Sequence, residues 1–206
     1  MSITKKELEF FNHIDRQKIT NLKLKIDLPY KEIYEEVEPL LDNFVPHRLT
    51  NIGSQGLWKS LVIRGFAWNR TAEPELNDKE MDWQFEDMLP ITTNYFKNFP
   101  CWPLEKIRFM LLEPGGVIKP HRDIYSRPKL FGNINFCITQ PEGCDFHIGD
   151  EIIPWKPGDV RSMNLWFEHS VVNNSNERRL VMIAHQTKPV TDERFIKIAL
   201  ESYSEI

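Results

Sequence analysis

The chain has 206 residues, a length that suits one domain with a substantial hydrophobic core. Hydrophobic residues make up 41% and aromatic residues 12% of the sequence, which excludes a disordered chain. The formal net charge of −4 is spread over both signs, so we expect no nucleic acid partner. No apolar run is long enough to predict a membrane span, and the three cysteines lack metal-pair spacing. We therefore expect a cytoplasmic protein with reduced thiols.

The first part of the chain, to about residue 105, is predicted to be mainly helical. Apolar side chains recur at helical spacing over residues 30–44, which predicts an amphipathic helix. These side chains are Ile33, Val37, Leu40, Leu41 and Phe44. A strand-like run follows at 61–68. The segment 73–87 has seven acidic residues and one lysine, which is typical of a solvated surface loop.

From about residue 106 to 187, short apolar runs alternate with turn residues such as Pro-Gly and Gly-Asp. The runs are Ile107–Leu112, Val117–Asp123, Asn133–Thr139, Asp145–Ile148, Ile152–Trp155, Val160–Leu165, His169–Val172 and Leu180–Ala184. Such even spacing predicts a β-sandwich or barrel. Thr191 is a suitable N-cap for a final helix at about 191–204. We therefore expect one domain, 1–206, with a β core and flanking helices.

The tripeptide His121-Arg122-Asp123 carries the first indication of chemistry. In an extended strand, residues i and i+2 project from the same face, so His121 and Asp123 can bind one ion. A second histidine would complete the two-histidine, one-carboxylate set of non-haem iron(II) oxygenases. His169, which opens a later strand, is the candidate for that position.

Arg179 leads the apolar strand Leu180–Ala184. A charge at the start of a buried strand is costly unless it finds a partner, and a guanidinium matches a carboxylate with two parallel hydrogen bonds. Arg179 is therefore a candidate for binding a dicarboxylate. The neighbouring Arg178 is expected to lie on the surface.

The run from Pro114 to His185 resembles the aspartyl/asparaginyl β-hydroxylase-like branch of the Fe(II)- and 2-oxoglutarate-dependent oxygenases, within the cupin superfamily. The resemblance rests on three segments: Glu113-Pro-Gly-Gly-Val-Ile-Lys-Pro-His121, Trp155-Lys-Pro-Gly-Asp159, and His169-Ser-Val-Val-Asn173 followed by Arg179. It implies a double-stranded β-helix, or jelly-roll, core. It also implies Fe(II) bound by His121, Asp123 and His169, with Arg179 binding the distal carboxylate of the cosubstrate 2-oxoglutarate.

The sequence differs from members of that branch at two places. Some members have glycine two residues after the first histidine, whereas Asp123 gives this chain a complete set of metal ligands. Asn133 and Asn135 stand where those members have an Arg-x-His pair that helps to seat the cosubstrate. By alternation His185 shares a face with Arg179, so His185 and Asn135 are candidates for a substrate pocket.

The resemblance implies an O2-dependent hydroxylation of an unactivated C–H bond, with release of succinate and CO2. The substrate is expected to be an amino acid or an amino-acid residue in a peptide or protein, and the oligomeric state is left open. Two alternatives remain: a metal-dependent cupin enzyme that does not use 2-oxoglutarate, and a non-catalytic β-sandwich that binds a ligand. The remaining histidines, His13, His47 and His147, are not expected to bind metal, and Trp155 and Trp166 are expected in the core.

Overall fold

The computed structural model describes residues 2–47, 51–54, 56–65, 83–100, 104, 106–123, 130–185 and 190–205. Within these ranges, two antiparallel sheets of seven and four strands form the body of the protein, and α-helices flank them. This arrangement confirms the predicted mainly β fold with a jelly-roll core. Residues 73–82 of the acidic segment, Cys101, and the end of the predicted strand at 66–68 lie outside the described residues.

The larger sheet has seven strands. In spatial order they are β1 (Asn21–Leu24), β9 (Val160–Met163), β6 (Asn133–Thr139), β11 (Arg179–His185), β4 (Lys106–Leu112), β3 (Trp58–Arg64) and β2 (Val45–Pro46). Three of these strands come from the part before residue 105, which was predicted to be mainly helical; its described helices nevertheless cover more residues than its strands. β1 and β2 are too short to show a clear alternation of apolar and polar residues in the sequence. In the structure β1 is defined by its pairing with β9, and β2 by its pairing with β3.

The smaller sheet has four strands, all from the predicted β core. Their spatial order is β5 (Val117–His121), β10 (His169–Asn173), β7 (Cys144–Ile148) and β8 (Glu151–Ile152). β10 pairs with both β5 and β7, so it is a central strand of this sheet. The N-terminal end of β10 is therefore held on both sides by backbone hydrogen bonds.

The helices are α1 (Lys5–Asp15), α2 (Tyr30–Val37), α3 (Pro90–Lys97) and α4 (Glu193–Tyr203). The amphipathic helix predicted over 30–44 continues after α2 as a 3-10 helix, Glu38–Asn43. Pro39 explains the change, because proline has no N–H for the α-helical ladder. The N-cap of α4 is Asp192, not Thr191, since Asp192 Oδ1 accepts a hydrogen bond from Arg194 N at 2.8 Å.

The interior is divided into two apolar clusters by the larger sheet. Alternation along β11 places Leu180 and Met182 in the cluster that includes side chains of the helices, whereas Val181 lies in the cluster shared with the smaller sheet. The same alternation holds on β4, where Met110 and Leu112 face the smaller sheet. The space between the sheets is thus lined by every second residue of β4, β6 and β11.

Two predicted core residues have different environments. Trp155 is buried between the sheets, as expected, but Trp166 is 43% exposed, so the prediction for Trp166 is wrong. Trp166 lies in a turn closed by a hydrogen bond from Phe167 N to Asn164 O. Cys137 and Cys144 are buried free thiols, in agreement with the sequence analysis.

Candidate metal centre and adjoining pocket

The three predicted metal-binding side chains lie together at one end of the smaller sheet. His121, the last residue of β5, lies opposite His169, the first residue of β10, with ring centroids 4.2 Å apart. Asp123 follows β5 and donates its backbone N–H to Leu165 O at 3.0 Å, while its Oδ1 lies 3.7 Å from His121 Nε2. One potential ligand atom from each of the three residues lies within 4.8 Å of the others. This spacing allows one metal ion to contact all three.

Backbone carbonyl groups orient both imidazole rings of the centre. His121 Nδ1 lies 2.8 Å from Lys119 O, and His169 Nδ1 lies 3.0 Å from Phe167 O, so each Nδ1 carries a proton and donates it. Each Nε2 then keeps its lone pair for a metal, as in most histidine–metal sites. Burial lowers the pKa of His169, which favours the neutral, ligating form. Two imidazoles and one carboxylate in this arrangement fit a non-haem iron(II) site.

His147 lies outside this group of ligands. It pairs with Ser170 in the register of β7 and β10, whereas Ile148 pairs with His169. Because neighbouring residues of a strand point to opposite faces, the side chains of His147 and His169 lie on opposite faces of the smaller sheet. His147 is therefore a matched control for His169.

Arg179 is buried between the two sheets, and Arg178 is exposed, as the alternation predicts. Arg179 Nε donates to Gln140 Oε1 at 3.0 Å, and its Cζ lies 5.9 Å from the centroid of the Phe146 ring. The same ring lies 6.3 Å from the ring of His169. Burial lowers the pKa of Arg179, and among the described residues no carboxylate forms a salt bridge with it.

His185 and Asn135, the predicted pocket residues, lie on adjacent strands of the larger sheet. Asn135 pairs with Ile183, and His185 pairs with Asn133, so both side chains face the space between the sheets. Asn135 Nδ2 is buried and has no hydrogen-bond partner in the described part of the chain. Burial, followed by the charges of Arg108 and Lys106, lowers the pKa of His185 well below its usual value. The structure thus places both residues in the interior, beside a charged residue that the sequence analysis missed.

The missed residue is Arg108, in the middle of β4. Its Nη1 donates to His47 Nε2 at 3.3 Å and its Nη2 to His185 Nε2 at 3.4 Å. The signal in the sequence is a single arginine within the apolar run 107–112, at a position that alternation assigns to the same face as Met110 and Leu112. His47 lies outside the group of potential metal ligands, and its ring stacks on Trp58.

Comparison with known proteins identified related sequences and folds. The sequence profile of a family described as aspartyl/asparaginyl beta-hydroxylase matches residues 28–189. No curated protein sequence matches the chain significantly. No helix in the described ranges is long and apolar enough to cross a membrane.

Several solved structures share the fold at low identity. An oxidoreductase of the 2OG-Fe(II) oxygenase family from Burkholderia pseudomallei is 11% identical, with a TM-score of 0.50 over 94% of this chain and 96% of that one. A prolyl hydroxylase from Trichoplax adhaerens, solved with a hypoxia inducible factor peptide fragment, is 12% identical, with a TM-score of 0.51 over 95% and 94%. The non-heme α-ketoglutarate-dependent epimerase SnoN from nogalamycin biosynthesis is 14% identical, with a TM-score of 0.52 over 87% and 80%.

Proposed function

This chain belongs to the aspartyl/asparaginyl β-hydroxylase family, and we propose that it hydroxylates an unactivated C–H bond of an amino acid or of an amino-acid residue in a peptide or protein. Family membership confirms the resemblance described above, and with it an enzyme of the oxygenase class that uses Fe(II), 2-oxoglutarate and O2. In the proposed reaction, 2-oxoglutarate loses CO2 and becomes succinate. One oxygen atom of O2 enters succinate, and the other becomes the hydroxyl group of the product.

The observation that carries the proposal is the clustering of His121, Asp123 and His169. Their potential ligand atoms lie within 4.8 Å of one another, and both histidines present Nε2 because a carbonyl group accepts from each Nδ1. In the proposed enzyme these three residues hold Fe(II). When bound, Fe(II) supplies the redox centre at which 2-oxoglutarate and O2 react. Three ligands on one side of the ion leave positions for both reactants.

Arg179 is proposed to bind the distal carboxylate of 2-oxoglutarate. It is a buried cation without a described carboxylate partner, and it lies beside Phe146, which also contacts the ring of His169. Its hydrogen bond to Gln140 uses Nε and leaves both Nη atoms for a ligand. The protein part of catalysis is then to orient the cosubstrate and to keep bulk water from it.

The test is succinate formation by the purified full-length protein, supplied with Fe(II), 2-oxoglutarate and O2 and screened with free amino acids and short peptides. We expect succinate to form only with both Fe(II) and 2-oxoglutarate, to increase with one class of substrate, and to be absent in His169→Ala. His147→Ala should behave as wild type. A metal-dependent cupin of another kind would turn over without 2-oxoglutarate, and a non-catalytic sandwich would produce no succinate.

A further inference from the structure

Arg108 occupies a distinctive position in the interior. It is the third residue of β4, and it pairs with Ile183 of β11, which in turn pairs with Asn135 of β6. The three residues therefore form one row across the larger sheet, on the face that lies towards the smaller sheet. Met110, two residues further along the same face of β4, belongs to the apolar cluster that contains Phe146, and the ring of Phe146 lies 6.3 Å from that of His169.

Two neutral histidines hold the guanidinium of Arg108. Arginine has no acceptor, so Nη1 and Nη2 must donate to the Nε2 atoms of His47 and His185, and each ring carries its proton on Nδ1. His47 is itself fixed, because its ring stacks on Trp58 at 3.8 Å between centroids and its N–H donates to Trp58 O at 2.7 Å. The plane of the guanidinium is thus set by contacts on two sides.

Several N–H donors of Arg108 have no partner among the described residues. A guanidinium has five N–H donors, of which the two histidines take two. Arg108 Nε is buried and has no hydrogen-bond partner within the described ranges. Burial lowers the pKa of Arg108 to about 10, with Asp123 acting in the opposite direction, so the group remains charged at neutral pH. A partly buried cation whose Nε has no partner among the described residues favours a planar anion that accepts two parallel hydrogen bonds.

We propose that Arg108, positioned by His47 and His185, binds a carboxylate group of the substrate. The inference rests on the proposed function and adds to it the substrate class: an amino acid or short peptide presented to the metal centre by its free carboxylate. Asn135 Nδ2, buried in the same row of the sheet and also without a described partner, offers a further donor to the same substrate.

The cosubstrate and the substrate are thereby assigned to different arginines. In the pairing of β11 with β4, Arg179 lies opposite Leu112, whereas Arg108 lies opposite Ile183. The two arginines are therefore four residues apart along β11. Four residues of an extended strand span about 13 Å. One distal carboxylate of 2-oxoglutarate occupies a single arginine, which leaves the other for a second anion. Arg179 lies against the Phe146 ring, which neighbours the ring of His169, so the cosubstrate is assigned to Arg179 and the substrate carboxylate to Arg108.

The experiment uses the full chain with Fe(II) and 2-oxoglutarate under anaerobic conditions. The absorption band of the iron–cosubstrate chelate is followed while substrates bind beside it. The probes are the twenty free L-amino acids and their N-acetyl derivatives, each tested as the carboxylate and as the primary amide. We expect at least one carboxylate to perturb the band saturably, and its amide to bind about 30-fold or more weakly.

The variants are Arg108→Met, Arg108→Lys and, as a matched control, Arg161→Met. Arg161 lies in the same row and also faces the interior, but it already contacts Asp159 and Asn21. In Arg108→Met the preference for carboxylate over amide should disappear, while 2-oxoglutarate affinity stays within about threefold of wild type. Arg161→Met should keep the preference. Where Arg108→Met fails to fold, as judged by circular dichroism, Arg108→Lys decides, with an expected loss of at least about tenfold in carboxylate affinity.

Several outcomes would overturn the inference. These are a wild-type protein that binds no carboxylate better than its amide, an Arg108 variant that keeps the preference, and an Arg108→Met protein that loses 2-oxoglutarate instead. The last result would assign Arg108 to the cosubstrate. Failure of the proposed function itself is distinguishable, because the wild-type protein would then form no chelate band before any substrate probe is added.

Discussion

His121 and His169 lie directly opposite each other in the pairing of β5 with β10, and each donates its Nδ1 proton to a backbone carbonyl two residues earlier in the chain. One carbonyl belongs to β5 and the other to the turn that leads into β10, so the backbone orients both rings. The centre is largely formed before a metal binds, because strand pairing fixes both histidines and a hydrogen bond from Asp123 N to Leu165 O fixes the third residue.

The first prediction concerns metal affinity. Replacing His121, Asp123 or His169 by alanine should weaken Fe(II) binding by more than about 100-fold, because even changes to groups that only support a ligand cost 10- to 100-fold. Affinity would be measured by competition with a chromophoric chelator under anaerobic conditions. His147→Ala, on the opposite face of the same sheet, should bind Fe(II) as wild type does. Loss of iron in His147→Ala would show that the wrong histidine has been paired with Asp123.

The second prediction compares two adjacent arginines. Arg179→Met should reduce 2-oxoglutarate affinity by about 30-fold to several thousand-fold, since it leaves a carboxylate buried without its cation, at a cost of about 2 to 5 kcal/mol. Arg178→Met should have little effect, because Arg178 is exposed and pairs with Glu113 and Asp42. Anaerobic titration of the iron protein with 2-oxoglutarate measures both affinities. If Arg178→Met were the impaired variant, the cosubstrate assignment would have to move to the opposite face of β11.

The third prediction is a pH dependence of stability in the metal-free protein. Burial and the charges of Arg108 and Lys106 lower the pKa of His185 in the folded state. Below about pH 6.5 the unfolded chain binds a proton there that the folded chain does not, so stability is lost as the pH falls. Between pH 7 and pH 5 this group should remove up to about 2 kcal/mol from the free energy of unfolding. Urea titrations of wild type and His185→Gln at several pH values would measure this loss. The same pH dependence of the free energy of unfolding in both proteins would refute the explanation.

The fourth prediction concerns Asn173, the last residue of β10. Its buried Nδ2 donates to Leu112 O, Glu113 O and Glu177 O, and its Oδ1 accepts from Ser175. Asn173→Ala leaves several buried backbone groups unsatisfied, so it should lower the free energy of unfolding by about 2 to 4 kcal/mol. Iron affinity of the folded variant should be unchanged. Denaturant unfolding would be compared with Asn174→Ala, an exposed neighbour that should be nearly silent; equal effects would show that the side-chain network is unimportant.

The sequence was sufficient to predict the β core and that His121, Asp123 and His169 lie close together. The turn residues mark the ends of β4 to β11, and the spacing of His121 and Asp123 places two potential ligands on one face. Alternation alone predicts correctly that Arg179 is buried and Arg178 is exposed. These features depend on neighbours in the chain, where period-2 alternation directly indicates the direction of a side chain.

The contact between Arg108 and His47 was not predictable in the same way. The two residues are 61 positions apart, and they meet because β2 and β3 extend the larger sheet beyond β4. His47 reaches the interior only through its stacking on Trp58, a contact that no local pattern reveals. The exposed position of Trp166 depends likewise on a turn whose direction is set by the strands on either side.

The most direct test of the proposed function is to measure where the two oxygen atoms of O2 are found after the reaction. Succinate formed by the wild-type protein with Fe(II), 2-oxoglutarate and a stimulating substrate under ¹⁸O₂ should contain one labelled oxygen, and the substrate should gain the other as a hydroxyl group. His169→Ala should form neither product. Succinate without label, or 2-oxoglutarate left unconsumed by an iron-loaded wild-type protein, would contradict the proposed function.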